Sequence, residues 1–356
     1  MPHDVTEPAL PREARYFPLA DGRYEVKPGL MKFSTPFGNG AADGHVFQID
    51  RSFARYRRAK LEARAEAFDK YVLTGEDHGR IAPVVTRFII DRLCREHPDL
   101  FQAEREGHGV ALTCRLTREV LSFGADWLLV GVRGADAVAP AYRSACDALA
   151  CQVPEDLAVM LRRGGGGGGA ARHWLSALHL CSPNHWSGGQ KIGRDFAAIH
   201  APVAGIEPIN RRADAMVDAM VRAEAGLVRF AWGLATDDRL NHHPDPPPGR
   251  SDPPEGHTGR HSGGGRAFDP RNPRLFLRIE RQTIWGFPHA DGEPRNTDAS
   301  LFTIRTYFLD CQWVRHNASE RAALVAAIKS MTPESLAYKG IAPYRDALIG
   351  WLTSTP

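Results

Sequence analysis

The stretch LFLRIERQTIW, Leu275–Trp285, begins with apolar side chains at every second position, and Arg278 and Glu280 occupy the alternate positions. A period of two predicts a β-strand with one face against a core. A second stretch with this pattern, LFTIRTYFL, follows at Leu301–Leu309. Two such strands with a single connection between them predict an antiparallel pair joined by a long hairpin loop.

The rest of the sequence predicts further helices and strands and therefore an α+β protein. Period-two or continuous apolar runs indicate strands at 110–113, 127–132, 175–181 and 228–234. Helical periodicity and helix-start signals indicate helices at 51–72, 82–100, 139–149, 154–162 and 212–225. A C-terminal helical segment is expected after Asn317, which has capping-box spacing to Glu320, and after the start signal Thr332-Pro333-Glu334.

The composition limits the class of protein. The 356 residues are 43% hydrophobic and 24% charged, which is typical of a soluble globular protein. The net charge of +3 is too small to indicate a nucleic-acid partner. No apolar run reaches the roughly 20 residues that span a bilayer, and the first residues lack the apolar core of a signal peptide. We therefore expect a cytoplasmic protein.

The domain organisation is predicted from three biased segments. Residues 1–30 are rich in proline and polar residues and are expected to form an N-terminal arm. Residues 31–355 are expected to form a single domain with flexible insertions at about 163–171 and 241–267. The first insertion contains six consecutive glycines, and the second is rich in proline, glycine and charge.

One histidine stands out in the stretch KIGRDFAAIHAPVAG, Lys191–Gly205. His200 follows an apolar pair, so it is either a packed, hydrogen-bonded core residue or a ligand. His185 and Cys181 are the alternatives for a ligand role. The cysteines do not form a CxxC pair, so neither a zinc knuckle nor a redox pair is indicated.

Several motifs in a fixed order carry a resemblance to a known family. They are Gly29-Leu30, Phe47–Asp50, Gln152–Leu157, Cys181–Trp186, Lys191–Gly193, Ile199–Val203, Leu277–Thr283, Phe302–Tyr307 and Tyr338–Gly340. With these motifs the chain resembles the haem-dependent oxidative N-demethylases, the haem subunits of dimethylamine monooxygenase-like systems. The sequence departs from the family's pattern at Arg229–Trp232, where an Asn before the Trp is usual, and at the two insertions.

The resemblance implies a PAS-like fold, a five-stranded antiparallel sheet with helices, that binds b-type haem. It implies a monooxygenase that oxidises the methyl group of a small secondary amine with O2, giving amine and formaldehyde. Electrons would come from NADPH through separate flavin and iron–sulfur subunits, and the sequence has no dinucleotide-binding fingerprint or clustered cysteines of its own. One alternative is a haem- or ligand-binding PAS-like sensor without turnover. Another is a scaffold that has lost haem.

The same resemblance suggests roles for individual residues. His200 would be the axial ligand of the haem iron. The candidates that would hold the haem propionates are Lys191, Arg194, Arg278, Arg281 and Arg305. Glu280 would pair with the ammonium group or relay protons, and the residues expected to line the substrate pocket are Trp232, Trp285 and Tyr307. Strand alternation puts Arg278 and Glu280 on one face and Arg281 on the other, so they cannot all face one pocket.

Overall fold

The computed structural model describes residues 9–134, 138–164, 171–247, 268–289 and 297–354. The strands in these ranges are β1 (Met31–Lys32), β2 (Val72–Thr74), β3 (Phe101–Glu106), β4 (Gly109–Cys114), β5 (Glu119–Phe123), β6 (Leu129–Gly134), β7 (Asp156–Arg163), β8 (Arg172–His179), β9 (Leu227–Ala235), β10 (Phe276–Phe287) and β11 (Asp298–Asp310). The helices are α1 (Phe53–Tyr71), α2 (His78–Glu96), α3 (Ala145–Ala150), α4 (Phe196–His200), α5 (Glu207–Asn210), α6 (Ala213–Val221), α7 (Cys311–His316), α8 (Ala318–Lys329), α9 (Pro333–Tyr338) and α10 (Arg345–Thr353).

The strands form two antiparallel sheets, which confirms the α+β class. Within the described ranges the main sheet has seven strands in the order β1-β9-β10-β11-β7-β8-β2, and the smaller sheet has the order β3-β4-β5-β6. The main sheet therefore has two strands more than the five that the resemblance implies. No helix in the described part of the chain is long and apolar enough to cross a membrane.

The central feature of the main sheet is the pair β10–β11. The two strands pair along their length from Phe276↔Asp310 to Phe287↔Ala299, which confirms the predicted antiparallel pair. β10 also pairs with β9, and β11 with β7, so neither strand is an edge. Residues 290–296 of the connecting loop lie outside the described residues.

The prediction of a helix at 154–162 is wrong, because this segment contains the strand β7. β7 lies between β11 and β8, and its first six residues are all buried. A strand buried on both faces shows a continuous apolar run rather than alternation, so periodicity does not distinguish it from a helix. The helix predicted at 139–149 is shorter than expected and covers only α3, where the Ser144 side chain accepts a hydrogen bond from the Asp147 N–H.

The C-terminal helix starts were predicted correctly. The Asn317 side chain accepts hydrogen bonds from the backbone N–H groups of Ser319 and Glu320 at the start of α8. The Thr332 side chain accepts from the N–H of Ser335 at the start of α9. These caps satisfy N–H groups that have no partner within the helix.

The two faces of the main sheet pack against different layers. On one face, α4 and α6 pack over apolar side chains of β7, β8 and β10. The opposite face packs against α2 and the smaller sheet at one end and against α7, α8 and α10 at the other. Because side chains alternate along a strand, each residue of β10 and β11 belongs to one of these layers.

The predicted insertions lie mostly outside the described residues, which omit 165–170 and 248–267. The described beginning of the second insertion does not fit a disordered surface segment. His242 and His243 are buried, and Lys70 donates a hydrogen bond to the Asp245 carbonyl. Residues 9–30, predicted as an arm, include the buried side chains of Tyr16 and Leu19.

Close packing of α6 on β10 gives a test of the fold. Gly286 donates its N–H to the Ala223 carbonyl, and a Cβ at this position would overlap the Val221 carbonyl oxygen. We expect Gly286→Ala to lower the free energy of unfolding by about 1–3 kcal/mol, measured by urea denaturation. Gly233→Ala in β9 is the control, since a Cβ there meets nothing within 4 Å. Equal effects of both substitutions would contradict this packing.

Candidate functional site

A cavity of about 380 Å³ lies against the face of the main sheet that carries α4 and α6. Small-molecule and cofactor sites commonly enclose roughly 300–1,000 Å³. Sheet residues line the cavity at positions that share one face: Ala158 and Met160 of β7, Leu175 and Leu178 of β8, Arg278, Glu280, Gln282 and Ile284 of β10, and Phe302 and Ile304 of β11. The remaining wall comes from residues 18–30, the segment 184–191, α4 and the residues up to 209, α6, residues 229–232 of β9 and the end of α9.

His200 lies on the cavity wall at the end of α4. Its Nδ1–H donates a hydrogen bond to the Phe196 carbonyl at 2.8 Å, which leaves the lone pair on Nε2. Burial lowers the pKa of His200 to about 4, so the ring is neutral at physiological pH. A neutral imidazole whose other nitrogen is bound to a backbone carbonyl is the usual arrangement of a metal-ligating histidine.

The two alternative ligands lie away from the cavity wall. His185 stacks on His242 with ring centroids 4.9 Å apart, and it does not line the cavity. Cys181 is fully buried, with its Sγ 3.7 Å from His179 Nδ1. Burial raises the pKa of this thiol well above its ordinary value, which disfavours the thiolate that would ligate iron.

The side chains of Lys191, Lys339 and Arg229 line the cavity around the carboxylate of Glu280. Burial lowers the pKa of Lys191 and of Lys339 to about 8, and it lowers the pKa of Arg229 as well. The negative charge of Glu280 opposes each of these shifts, so it acts on all three cations. The described residues supply no ion pair to Lys191 or Arg229, and Arg229 Nε is buried without a hydrogen-bond partner among them. A buried cation without a counter-ion is unfavourable, so this wall is suited to an anionic group.

Lys339 and Lys191 are held by different contacts. Lys339 Nζ donates to the Trp232 carbonyl at 2.7 Å, and the rings of Tyr24 and Tyr338 each lie 5.7 Å from it. Lys191 Nζ lies 4.1 Å above the Trp186 ring, and no described residue holds it by such a hydrogen bond. Of the two lysines, Lys191 is therefore the freer to turn towards a ligand.

Arg278 lines the cavity, but its guanidinium is already engaged by the protein. Its two Nη groups donate to the carbonyls of Ser182, Arg239 and Leu240 at 2.8–3.2 Å. Arg278 thus ties together two loops at one end of the cavity. This arrangement favours a positioning role over binding of a propionate.

Four other predicted site residues lie on the opposite face of the sheet. Arg281 donates to the His45 carbonyl, and Arg305 forms a 2.6 Å ion pair with Asp50. Trp285 and Tyr307 are buried in the cores on that face. All four occupy alternate positions to the cavity-lining residues of β10 and β11, so the pleat turns them away from the cavity. Arg194 is exposed and also does not line the cavity. Trp232 reaches the cavity wall, but it pairs with Ile279 across β9–β10, and its side chain packs against the core on the opposite face.

Sequence reasoning missed Arg229, Gln282, Lys339 and Tyr24 as cavity residues. Gln282 could have been found, because it lies two positions after Glu280 on the same strand and therefore on the same face. Arg229 pairs with Gln282 across β9–β10, a register that the sequence does not reveal. Tyr24 and Lys339 come from distant parts of the chain, and only the packing brings them to the cavity.

A second group of potential ligands is buried near α3 and β8, consisting of Asp147, Cys151, Asp156, His179 and Cys181. His179 Nε2 lies 3.3 Å from Asp147 Oδ1, and this carboxylate also binds the Arg64 guanidinium at 2.8 Å. Lys60 Nζ lies 3.8 Å from Asp156. Arg64 and Lys60 thus supply positive charge to the carboxylates of Asp147 and Asp156.

The α+β fold carries a charged cavity on one face of its main sheet, and the neutral His200 imidazole suits this cavity to a metal-containing cofactor. A model of the family described as haem-dependent oxidative N-demethylase, alpha subunit-like, matches residues 40–349. The match spans most of the chain, and the chain belongs to this family. No curated protein matches it.

The lowered pKa values of Lys191 and Lys339 predict a pH dependence of stability. Their pKa values of about 8 in the folded state lie below the ordinary 10.5, so the unfolded chain binds more protons between these values. Stability contributed by the two lysines must therefore rise with pH across this window. We expect wild type to gain stability relative to a Lys191→Met, Lys339→Met variant as pH rises from about 8 to 10.

The measurement is urea denaturation of the haem-free proteins at a series of pH values. Only the difference between the two proteins is interpreted, because cysteines and tyrosines also titrate in this range. A difference that does not change with pH would contradict the burial of the two ammonium groups.

Proposed function

We propose that this chain is the haem-binding subunit of a monooxygenase that removes a methyl group from a small, dimethylamine-like alkylamine. The observation that carries the proposal is His200, a neutral imidazole on the cavity wall whose Nδ1–H is held by the Phe196 carbonyl. In this role Nε2 of His200 would be the axial ligand of b-type haem. Membership of a haem-dependent family supports the choice of cofactor.

The charges of the cavity fit haem b. Its two propionates would supply the counter-ions that Lys191 and Arg229 lack among the described residues. Lys191 and Arg229 also lie close enough to His200 for their positive charges to lower its pKa. The apolar side chains of Phe196, Ile199 and Val203 beside His200 would contact the porphyrin.

Bound haem supplies the activation of O2, and the chain's residues bind and orient the amine. Glu280 is the carboxylate among the wall's cations, and it would pair with the protonated amine. The products would be the demethylated amine, formaldehyde and water, formed from the amine, O2, two electrons and two protons.

The two electrons would come from NADPH through separate flavin and iron–sulfur subunits. The description of the family as an alpha subunit supports a component that works together with others. We also propose that the fold is PAS-like and that residues 31–355 form one domain. A single core cluster that contains side chains from both sheets supports one domain.

His200→Ala tests the proposal. In protein loaded with haem, we expect the variant to lose the stoichiometric Soret band, with haem affinity weakened on the order of tenfold or more. His185→Ala is the matched control, since His185 lies off the cavity wall and should leave the band unchanged. Formaldehyde release from dimethylamine, with O2 and a chemical reductant, is measured on the same samples. Wild-type protein that binds no haem would refute the proposal.

A further inference from the structure

Gln282 presents a hydrogen-bond acceptor in the cavity that no residue described in the structure satisfies. Its side chain lines the cavity and is 7% exposed. Its Nε2 donates to Glu280 Oε2 at 2.9 Å, while Oε1 is buried without a partner among the described residues. A buried acceptor that loses water without gaining a donor is unfavourable, so this oxygen is suited to a donor on a ligand.

The orientation of the amide follows from its contact with Glu280. An ionised carboxylate only accepts hydrogen bonds, so the NH2 group must face Glu280 and the carbonyl oxygen must point away from it. Strand alternation places both side chains on the cavity face of β10. The cavity therefore contains two acceptors next to each other, the Glu280 carboxylate and Gln282 Oε1.

We propose that Gln282 is a specificity-determining residue that distinguishes secondary from tertiary amines. A protonated secondary amine carries two N–H bonds, one for Glu280 and one for Gln282 Oε1. A protonated tertiary amine carries one N–H, which Glu280 takes, and it leaves Oε1 unpaired. This inference rests on the proposed function, because it assumes that Glu280 receives the ammonium group of the substrate.

The selectivity arises because a tertiary amine leaves the acceptor Gln282 Oε1 unpaired. A site that hydrogen-bonds a ligand N–H rejects an analogue without it more strongly than an apolar wall rejects an extra methyl group. A hydrogen bond to a charged group contributes roughly 1.5–3 kcal/mol. We therefore expect a preference of about tenfold or more for the secondary amine.

Arg229 is the competing donor for this oxygen. It lies directly opposite Gln282 in the β9–β10 register, and its Nε is also buried without a hydrogen-bond partner among the described residues. In the proposed complex Arg229 pairs with a haem propionate, which leaves Gln282 Oε1 to the substrate.

The experiment measures binding rather than turnover. The haem-loaded protein is titrated by calorimetry with dimethylammonium and with trimethylammonium chloride, and the ratio of the two dissociation constants is compared between variants. Wild type should prefer dimethylammonium by about tenfold, and Gln282→Met, which keeps the chain length without the acceptor, should reduce the ratio to near one. Gln102→Met is the matched control, because Gln102 is exposed on β3 of the smaller sheet and does not line the cavity, and it should keep the wild-type ratio.

The outcomes separate this inference from the proposed function. Haem-loaded wild type that binds neither amine refutes the proposed function. Binding of both amines with the same ratio in wild type and Gln282→Met overturns the role of Gln282 and leaves the function standing. Wild type alone also tests the inference if the variant does not fold, because equal affinity for the two amines overturns it.

Discussion

The alternation of side chains along the paired strands β10 and β11 is the constraint on which the rest of the structure depends. Each strand carries polar residues at both odd and even positions, and the pleat sends them to opposite faces. Glu280 and Gln282 reach the cavity, whereas Arg281 and Arg305 reach the buried segment around 43–52, where they bind His45 and Asp50. One face thereby lines the cavity, and the other holds the fold together.

Positive charge without a counter-ion among the described residues is the main chemical property of the sheet face that lines the cavity. Buried cations are stable in a protein only with a counter-ion or a dense set of acceptors. Arg278 has such acceptors in three backbone carbonyls, and Lys339 is anchored on the Trp232 carbonyl. Lys191 and Arg229 have no comparable contact within the described residues. Arg278 and Lys339 therefore shape the cavity, whereas Lys191 and Arg229 are suited to hold an anionic ligand.

The sequence predicted the parts of the fold that have a clear local signal. The β10–β11 pair followed from alternation, and the start of α8 followed from the spacing of Asn317 and Glu320. β7 was assigned incorrectly, because a strand buried on both faces has no period. Of the predicted site residues, His200, Glu280, Lys191 and Arg278 line the cavity. Strand alternation had also predicted that Arg281 and Arg278 face opposite sides of the sheet. Lys339 and Tyr24 could not be predicted, since only tertiary packing brings them to the cavity.

The central claim is that haem binds on the α4 side of the main sheet, with its iron at His200. The most direct test is a crystal structure of the haem-loaded protein with anomalous data collected at the iron absorption edge. The account predicts one iron peak within coordination distance of His200 Nε2, with the propionates beside Lys191 and Arg229. An iron peak beside His185 or Cys181, or on the opposite face of the sheet, would contradict it.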